Sequence, residues 1–158
     1  FVFILITSFF DVIDGAVARY KGRASVFGNY MDGVTDKYVE AIIIFGLLFA
    51  GFSAINLPFI SLSIPAYAII FLYLIGVMMT TYVKAAAKET ELVKEEIRGG
   101  ILEKPDRMIA LAIAILIAAW SMQISIYIIA VLAILSNITA LQRVWIAVKK
   151  SKDTKFGL

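Results

Sequence analysis

The chain has 158 residues, 61% of them hydrophobic, with a formal net charge of +3 and a mean hydropathy of +0.91. A soluble domain is about 45–50% apolar, so the composition is that of a membrane protein. There is no cysteine and no histidine, which excludes disulfides, thiolate chemistry, imidazole bases and the usual zinc sites. Any general base or metal ligand must then be a carboxylate, and oxygen-only ligands suit hard cations such as magnesium, manganese or calcium.

A bilayer-spanning helix needs about 20 mainly apolar residues. Residues 1–19 form the first such run. It begins at Phe1 without an initiator Met and has neither the basic flank nor the small-residue cleavage site of a signal peptide, so we expect an N-terminally truncated chain. A basic turn with Lys21 and Arg23 leads to a second span over residues 27–52, whose acids are confined to its first turns. An uncharged connector, residues 53–63, precedes a third span over 64–87. The polar segment 88–98 mixes Lys, Glu and Arg, which suits a helical extension into water, and Gly99 and Gly100 would end it. A fourth span follows Pro105 to about residue 122, a fifth covers 124–148, and a basic tail closes the chain. Gly46, Gly51 and Gly76 suit close helix contacts, and Trp120, Tyr127 and Trp145 suit aromatic belts. With five spans in alternation, all 15 Lys and Arg and all 12 Asp and Glu fall on one side. By the positive-inside rule that side is cytoplasmic. The expected fold is an all-α integral membrane bundle of about five transmembrane helices, one domain over residues 1–158, in the cell membrane with its chemistry facing the cytoplasm.

The acids concentrate in residues 11–36. Asp11, Asp14 and Ala18 share one face of the first helix; Gly28, Asp32 and Asp36 share one face of the second. These antiparallel neighbours bring their acid faces together only at the cytoplasmic end. Carboxylates so close raise one another's pKa, and divalent cations relieve this. The cluster suits one or two ions, and a two-ion site bridges phosphoryl oxygens for in-line attack. Gly15 and Gly28 allow close approach of a ligand or backbone, and Arg19 can clamp a phosphate bidentately. Two other readings stand beside this one: interfacial acids solvated by water, and the acids of an ion or proton pathway.

The pattern Asp-x2-Asp-Gly-x2-Ala-Arg-x8-Gly-x3-Asp-x3-Asp, carried by Asp11, Asp14, Gly15, Ala18, Arg19, Gly28, Asp32 and Asp36, resembles the signature of the CDP-alcohol phosphatidyltransferases. The resemblance implies a six-helix membrane enzyme, usually a homodimer, with the first helix missing upstream here. Such an enzyme displaces CMP from a CDP-linked lipid by the hydroxyl of a second alcohol. It also implies Mg2+ or Mn2+, two ions, held by Asp11, Asp14 and Asp32 with Asp36 as a shared ligand. Asp36 would be the base on the acceptor hydroxyl. The CDP moiety would lie against Asp14, Gly15, Ala18, Arg19, Gly28 and Asp32.

Lys84, Arg107 and Arg143 stand at the cytoplasmic ends of three different spans. They can converge on one anion, or simply snorkel to the interface. Thr81-Tyr82-Val83-Lys84, Glu103-Lys104-Pro105-Asp106-Arg107 and Thr139-Ala140-Leu141-Gln142-Arg143 resemble segments of phosphatidylinositol phosphate and archaetidylinositol phosphate synthases. That resemblance gives Thr81, Lys84, Arg107 and Arg143 the acceptor phosphate. Ala86 and Lys88 depart from it, where those enzymes carry an arginine and a glutamate. The expected donor is CDP-diacylglycerol or CDP-archaeol and the expected acceptor a phosphorylated alcohol, inositol phosphate first. Glycerol 3-phosphate, another inositol-type acceptor and a CDP-inositol donor are the alternatives. Lys149, Lys150, Lys152 and Lys155 read as an anchor attracted to anionic membrane lipids, and no nucleic acid is expected.

Overall fold

The computed structural model describes residues 26–57, 62–93 and 99–155. The chain divides into two compact units, residues 1–45 and 46–158. The first predicted span lies outside the described residues. The second is helix α1, Val26–Leu47, which ends short of the expected boundary near residue 52. Helix α1 carries Asp32, Asp36, Lys37 and Glu40. Glu40 is 1% exposed and pairs with Lys37 Nζ at 2.6 Å, the partner that a buried carboxylate needs.

The connector expected over 53–63 is not simply a loop. Strands β1, Ile55–Leu57, and β2, Leu62–Ile64, pair antiparallel in the register Ile55–Ile64, Asn56–Ser63, Leu57–Leu62. The described residues are mostly helical, as expected, with one small strand pair added among them. Its strands are too short to give a readable alternation of apolar and polar residues.

Three helices follow: α2, Ala66–Glu89; α3, Lys104–Ala118; and α4, Met122–Lys155. Helices α2 and α4 are long and apolar enough to cross a membrane. At 34 residues, α4 is about 51 Å long against a hydrocarbon core of about 30 Å, so its end reaches water, where Lys149 Nζ lies 5.4 Å from the Trp145 ring centroid. Helix α3 has 15 residues, about 22 Å, and is shorter than the expected fourth span. Pro105 suits its first turn. Ser121 Oγ accepts the Ile124 N–H at 3.3 Å to cap α4, and Ser125 Oγ donates to Ala114 O at 2.7 Å to tie α3 to α4.

The polarity of α2 and α4 is inverted relative to a soluble bundle. Their outward faces carry Phe71, Ile75, Met79, Ile134, Ile138 and Leu141, all exposed, whereas Thr80, Ser125, Ser136, Thr139 and Arg143 are buried. A soluble protein places polar groups outward; a lipid-embedded helix satisfies them inside. Helices α2 and α4 touch closely at Gly76. A Cβ there would lie 2.8 Å from Ser136 Cβ and 2.9 Å from the Asn137 backbone nitrogen. Asn137 Nδ2 donates across the interface to Leu72 O at 3.0 Å. Gly46 and Gly51 meet no such neighbour among the described residues.

The expected helical extension is corrected over residues 90–93, since α2 stops at Glu89; residues 94–98 lie outside the described residues. Thr90 Oγ1 turns back to Ala86 O at 2.8 Å, Glu91 adopts a φ of 53°, and Val93 N–H donates to Ala87 O at 3.3 Å. The reversal buries Val93 against Ala87, Ala147 and Ile146. Burial of a valine, worth about 1.5–3 kcal/mol, outweighs the mild helix preference of the surrounding Lys and Glu.

Candidate active site

An acidic group stands on α1. Gly28, Asp32 and Asp36 follow at one-turn intervals on a single face, with Gly28 and Asp32 exposed and Asp36 half-buried. Glu40 continues the same stripe into the buried part of the helix. That continuation was readable in the four-residue spacing but was missed. Asp11, Asp14, Gly15, Ala18 and Arg19 lie outside the described residues. Among the described residues no three of His, Cys, Asp or Glu gather into one group. Asp32 and Asp36 still provide an oxygen-only donor pair on one helix face, which fits part of a shell for a hard divalent cation.

A separate cationic group is built on Thr80 of α2. Arg107, in the first turn of α3, is 2% exposed and donates from Nη1 to Thr80 Oγ1 at 3.3 Å. Arg143 of α4, 6% exposed, donates from Nη1 to the Thr80 carbonyl at 2.6 Å. Thr80 commits its only hydroxyl proton to Val77 O at 2.7 Å, so its oxygen faces Arg107 purely as an acceptor. One residue thus gathers guanidinium groups from two other helices. Arg107 is the neighbouring cation of Arg143 and Glu103 the nearby carboxylate.

Lys84 lies half-buried one turn beyond Thr80 on α2, and Thr81 is half-buried beside it. The structure therefore brings Arg107 and Arg143 together through Thr80. Sequence reasoning singled out Thr81 and did not single out Thr80. Adjacent threonines in an apolar helix carry no mark of which one turns inward, because one residue is a rotation of about 100°.

A second set of bonds holds Arg143 from the other side. Its Nε donates to Gly99 O at 3.0 Å. The next residues lie against α4: Ile101 N–H donates to Gln142 Oε1 at 3.1 Å and Leu102 N–H to Thr139 Oγ1 at 3.2 Å. Among the described residues no carboxylate lies within ion-pair distance of Arg143. Its hydrogen bonds go to two backbone carbonyls.

The family profile of the CDP-alcohol phosphatidyltransferases matches residues 1–145, a range that holds both the acidic and the cationic group. The chain belongs to that family. The family is membrane-integral and generally dependent on divalent metal. Among curated members, the chain is 33% identical over 149 residues to the archaetidylinositol phosphate synthase of Pyrococcus horikoshii, covering 94% of this chain and 69% of the relative. It is 29% identical over 143 residues to the enzyme of the same name from Methanothermobacter thermautotrophicus, covering 88% of this chain and 66% of that one. It is also 29% identical over 150 residues to the phosphatidylinositol phosphate synthase of Mycolicibacterium smegmatis, at 89% and 62% coverage. The chain therefore spans about two thirds of the length of these CDP-alcohol phosphatidyltransferase relatives.

Proposed function

We propose that the protein transfers a substituted phosphate group from a CDP-linked lipid, CDP-diacylglycerol or CDP-archaeol, to the hydroxyl of a phosphorylated alcohol, releasing CMP, in phospholipid biosynthesis. Inositol phosphate is the acceptor we favour. The observation that carries the acceptor class is Arg143: a buried guanidinium beside a second arginine, with no carboxylate in ion-pair contact among the described residues. A buried cation costs several kcal/mol unless an anion accompanies it, and the phosphate of the acceptor supplies that anion. Arg107, Arg143, Lys84 and Thr81 hold it in this reading, and Thr80 joins them. The names of the relatives, inositol phosphate synthases, support the same acceptor; glycerol 3-phosphate is the alternative. Family membership weighs against the ion-pathway reading of the acids.

Asp11, Asp14, Asp32 and Asp36 would hold Mg2+ or Mn2+, two ions, which when bound polarise the phosphoryl group and stabilise the leaving CMP. Gly15, Ala18, Arg19 and Gly28, with Asp14 and Asp32, line the CDP side. Asp36 takes the proton of the acceptor hydroxyl. The hydroxyl oxygen forms a bond to the phosphorus nearer the lipid, and the bond from that phosphorus to CMP breaks. We further propose about five spans in this chain, a cytoplasmic active site and a homodimer.

The test is CMP release by the full-length protein from CDP-lipid with Mg2+ or Mn2+ and inositol phosphate, glycerol 3-phosphate or serine as acceptor. Release with the phosphorylated alcohols and not with serine is expected. Equal release with serine would refute the acceptor class, and no release with any of them would refute the reaction.

A further inference from the structure

We infer that the backbone of residues 99–102 is a positioning strap for Arg143, seated by Thr139 and Gln142, and that Gly100 is required as glycine for it to seat. The inference rests on the reading of Arg143 as a ligand of the acceptor phosphate. It adds residues that the reading itself does not use.

A guanidinium is a fork of five N–H donors, useful for phosphate only if its plane is fixed. Arg143 is held at two points, by Thr80 O on Nη1 and by Gly99 O on Nε. These bonds fix the plane and leave the Nη2 edge for a ligand. The Thr80 carbonyl belongs to a helix and is rigid. The Gly99 carbonyl belongs to a connecting segment, which needs its own support.

That support comes from α4 itself. Thr139 Oγ1 gives its proton to Leu135 O at 2.8 Å and so accepts Leu102 N–H, while Gln142 Oε1 accepts Ile101 N–H. Thr139, Gln142 and Arg143 thus bind three successive parts of one strap. Two of these side chains accept from its N–H groups and the third donates to its carbonyl.

Gly100 is what lets the strap lie so close. A Cβ at Gly100 would come within 2.5 Å of Thr139 Cγ2 and 3.5 Å of Arg143 Nε. Its φ of 126° is also one that side-chain-bearing residues rarely adopt. Any larger residue at 100 must lift the strap off Thr139, and the Gly99 carbonyl moves away from Arg143 with it. Gly100 is therefore a close-approach device and not a helix stop.

The experiment measures acceptor and donor KM separately, with inositol phosphate and CDP-lipid, for the full-length protein carrying Gly100→Ala, Thr139→Val, Thr139→Ser or Arg143→Ala. Thr139→Val keeps the shape of the side chain and loses the acceptor oxygen. It is expected to raise acceptor KM roughly tenfold, the effect of one lost bond that orders a charged donor, with donor KM unchanged. Gly100→Ala is expected to do the same or more. Thr139→Ser keeps the hydroxyl and is expected to bring acceptor KM back toward wild type. It also lacks Cγ2, so Gly100→Ala combined with Thr139→Ser is expected to recover part of the loss caused by Gly100→Ala alone. If Arg143→Ala raises acceptor KM while Gly100→Ala and Thr139→Val do not, the strap inference is wrong and the acceptor reading survives. If Arg143→Ala leaves acceptor KM unchanged, the acceptor reading fails and the strap inference with it. A fall in kcat alone for Thr139→Val, with both KM values unchanged, would mark a purely structural role and also overturn the inference.

Discussion

Replacing Thr80 by valine isolates the hydroxyl that joins the two arginines. The shapes match, both side chains are β-branched, and the Thr80 carbonyl that receives Arg143 at 2.6 Å is retained. What is lost is the acceptor for Arg107 Nη1. That bond is 3.3 Å long, beyond the usual 2.9–3.0 Å. Hydrogen bonds to charged groups contribute about 1.5–3 kcal/mol, and the length places this one at the low end, about 1.5 kcal/mol. Since about 1.4 kcal/mol is a factor of ten, acceptor KM should rise about tenfold. Donor KM should not move, and Thr80→Ser should return acceptor KM to near its starting value. The assay is steady-state CMP release with each substrate varied in turn. An acceptor KM for Thr80→Val within about twofold of wild type would refute the reasoning. So would an equal rise in donor KM, because the hydroxyl would then be holding the bundle and not the site.

Three further outcomes follow from other parts of the molecule. Asp36→Asn should abolish turnover while CDP-lipid binding, followed by direct titration, stays close to wild type; turnover at the normal rate would remove Asp36 as the base. Chelation with EDTA should stop CMP release and either Mg2+ or Mn2+ should restore it, whereas activity that persists after exhaustive chelation would contradict the hard-cation assignment. Gly76→Val places atoms where a Cβ alone already lies 2.8 Å from Ser136 Cβ; overpacking of this kind costs about 1–3 kcal/mol, which a lowered thermal midpoint in detergent would report, and an unchanged midpoint would mean that α2 and α4 do not meet as described.

The sequence made some of this legible for clear physical reasons. Helices α2 and α4 are long apolar runs whose length alone marks them. Residues 11–36 hold eight fixed positions of one motif, and in a chain without His or Cys their carboxylates were the only ligands to consider. Of these, Gly28, Asp32 and Asp36 fall on described residues, one turn apart on α1. Arg107 and Arg143 could be singled out because each is a cation near the end of an apolar run.

Other features depended on contacts that no local pattern encodes. The stop at Glu89 is made by the burial of Val93 against Ala147, a residue far along the chain. The part played by Thr80 depends on helix phase, and it becomes visible only when Arg107 and Arg143 arrive from other helices. Gly99 and Gly100 read as punctuation, because their true neighbours, Thr139 and Arg143, lie about 40 residues away. The hairpin at Ile55–Leu57 was hidden by its length, since three residues fall short of the four to eight over which alternation can be read.

The central claim is that the buried arginine pair selects an acceptor bearing a phosphate. The most direct measurement is the ratio of CMP release with inositol phosphate to that with inositol, for wild type and for Arg143→Ala. A large ratio in the wild type that collapses in Arg143→Ala, with donor KM unchanged, is the predicted result. A ratio near one in the wild type, or one that Arg143→Ala leaves intact, would contradict it.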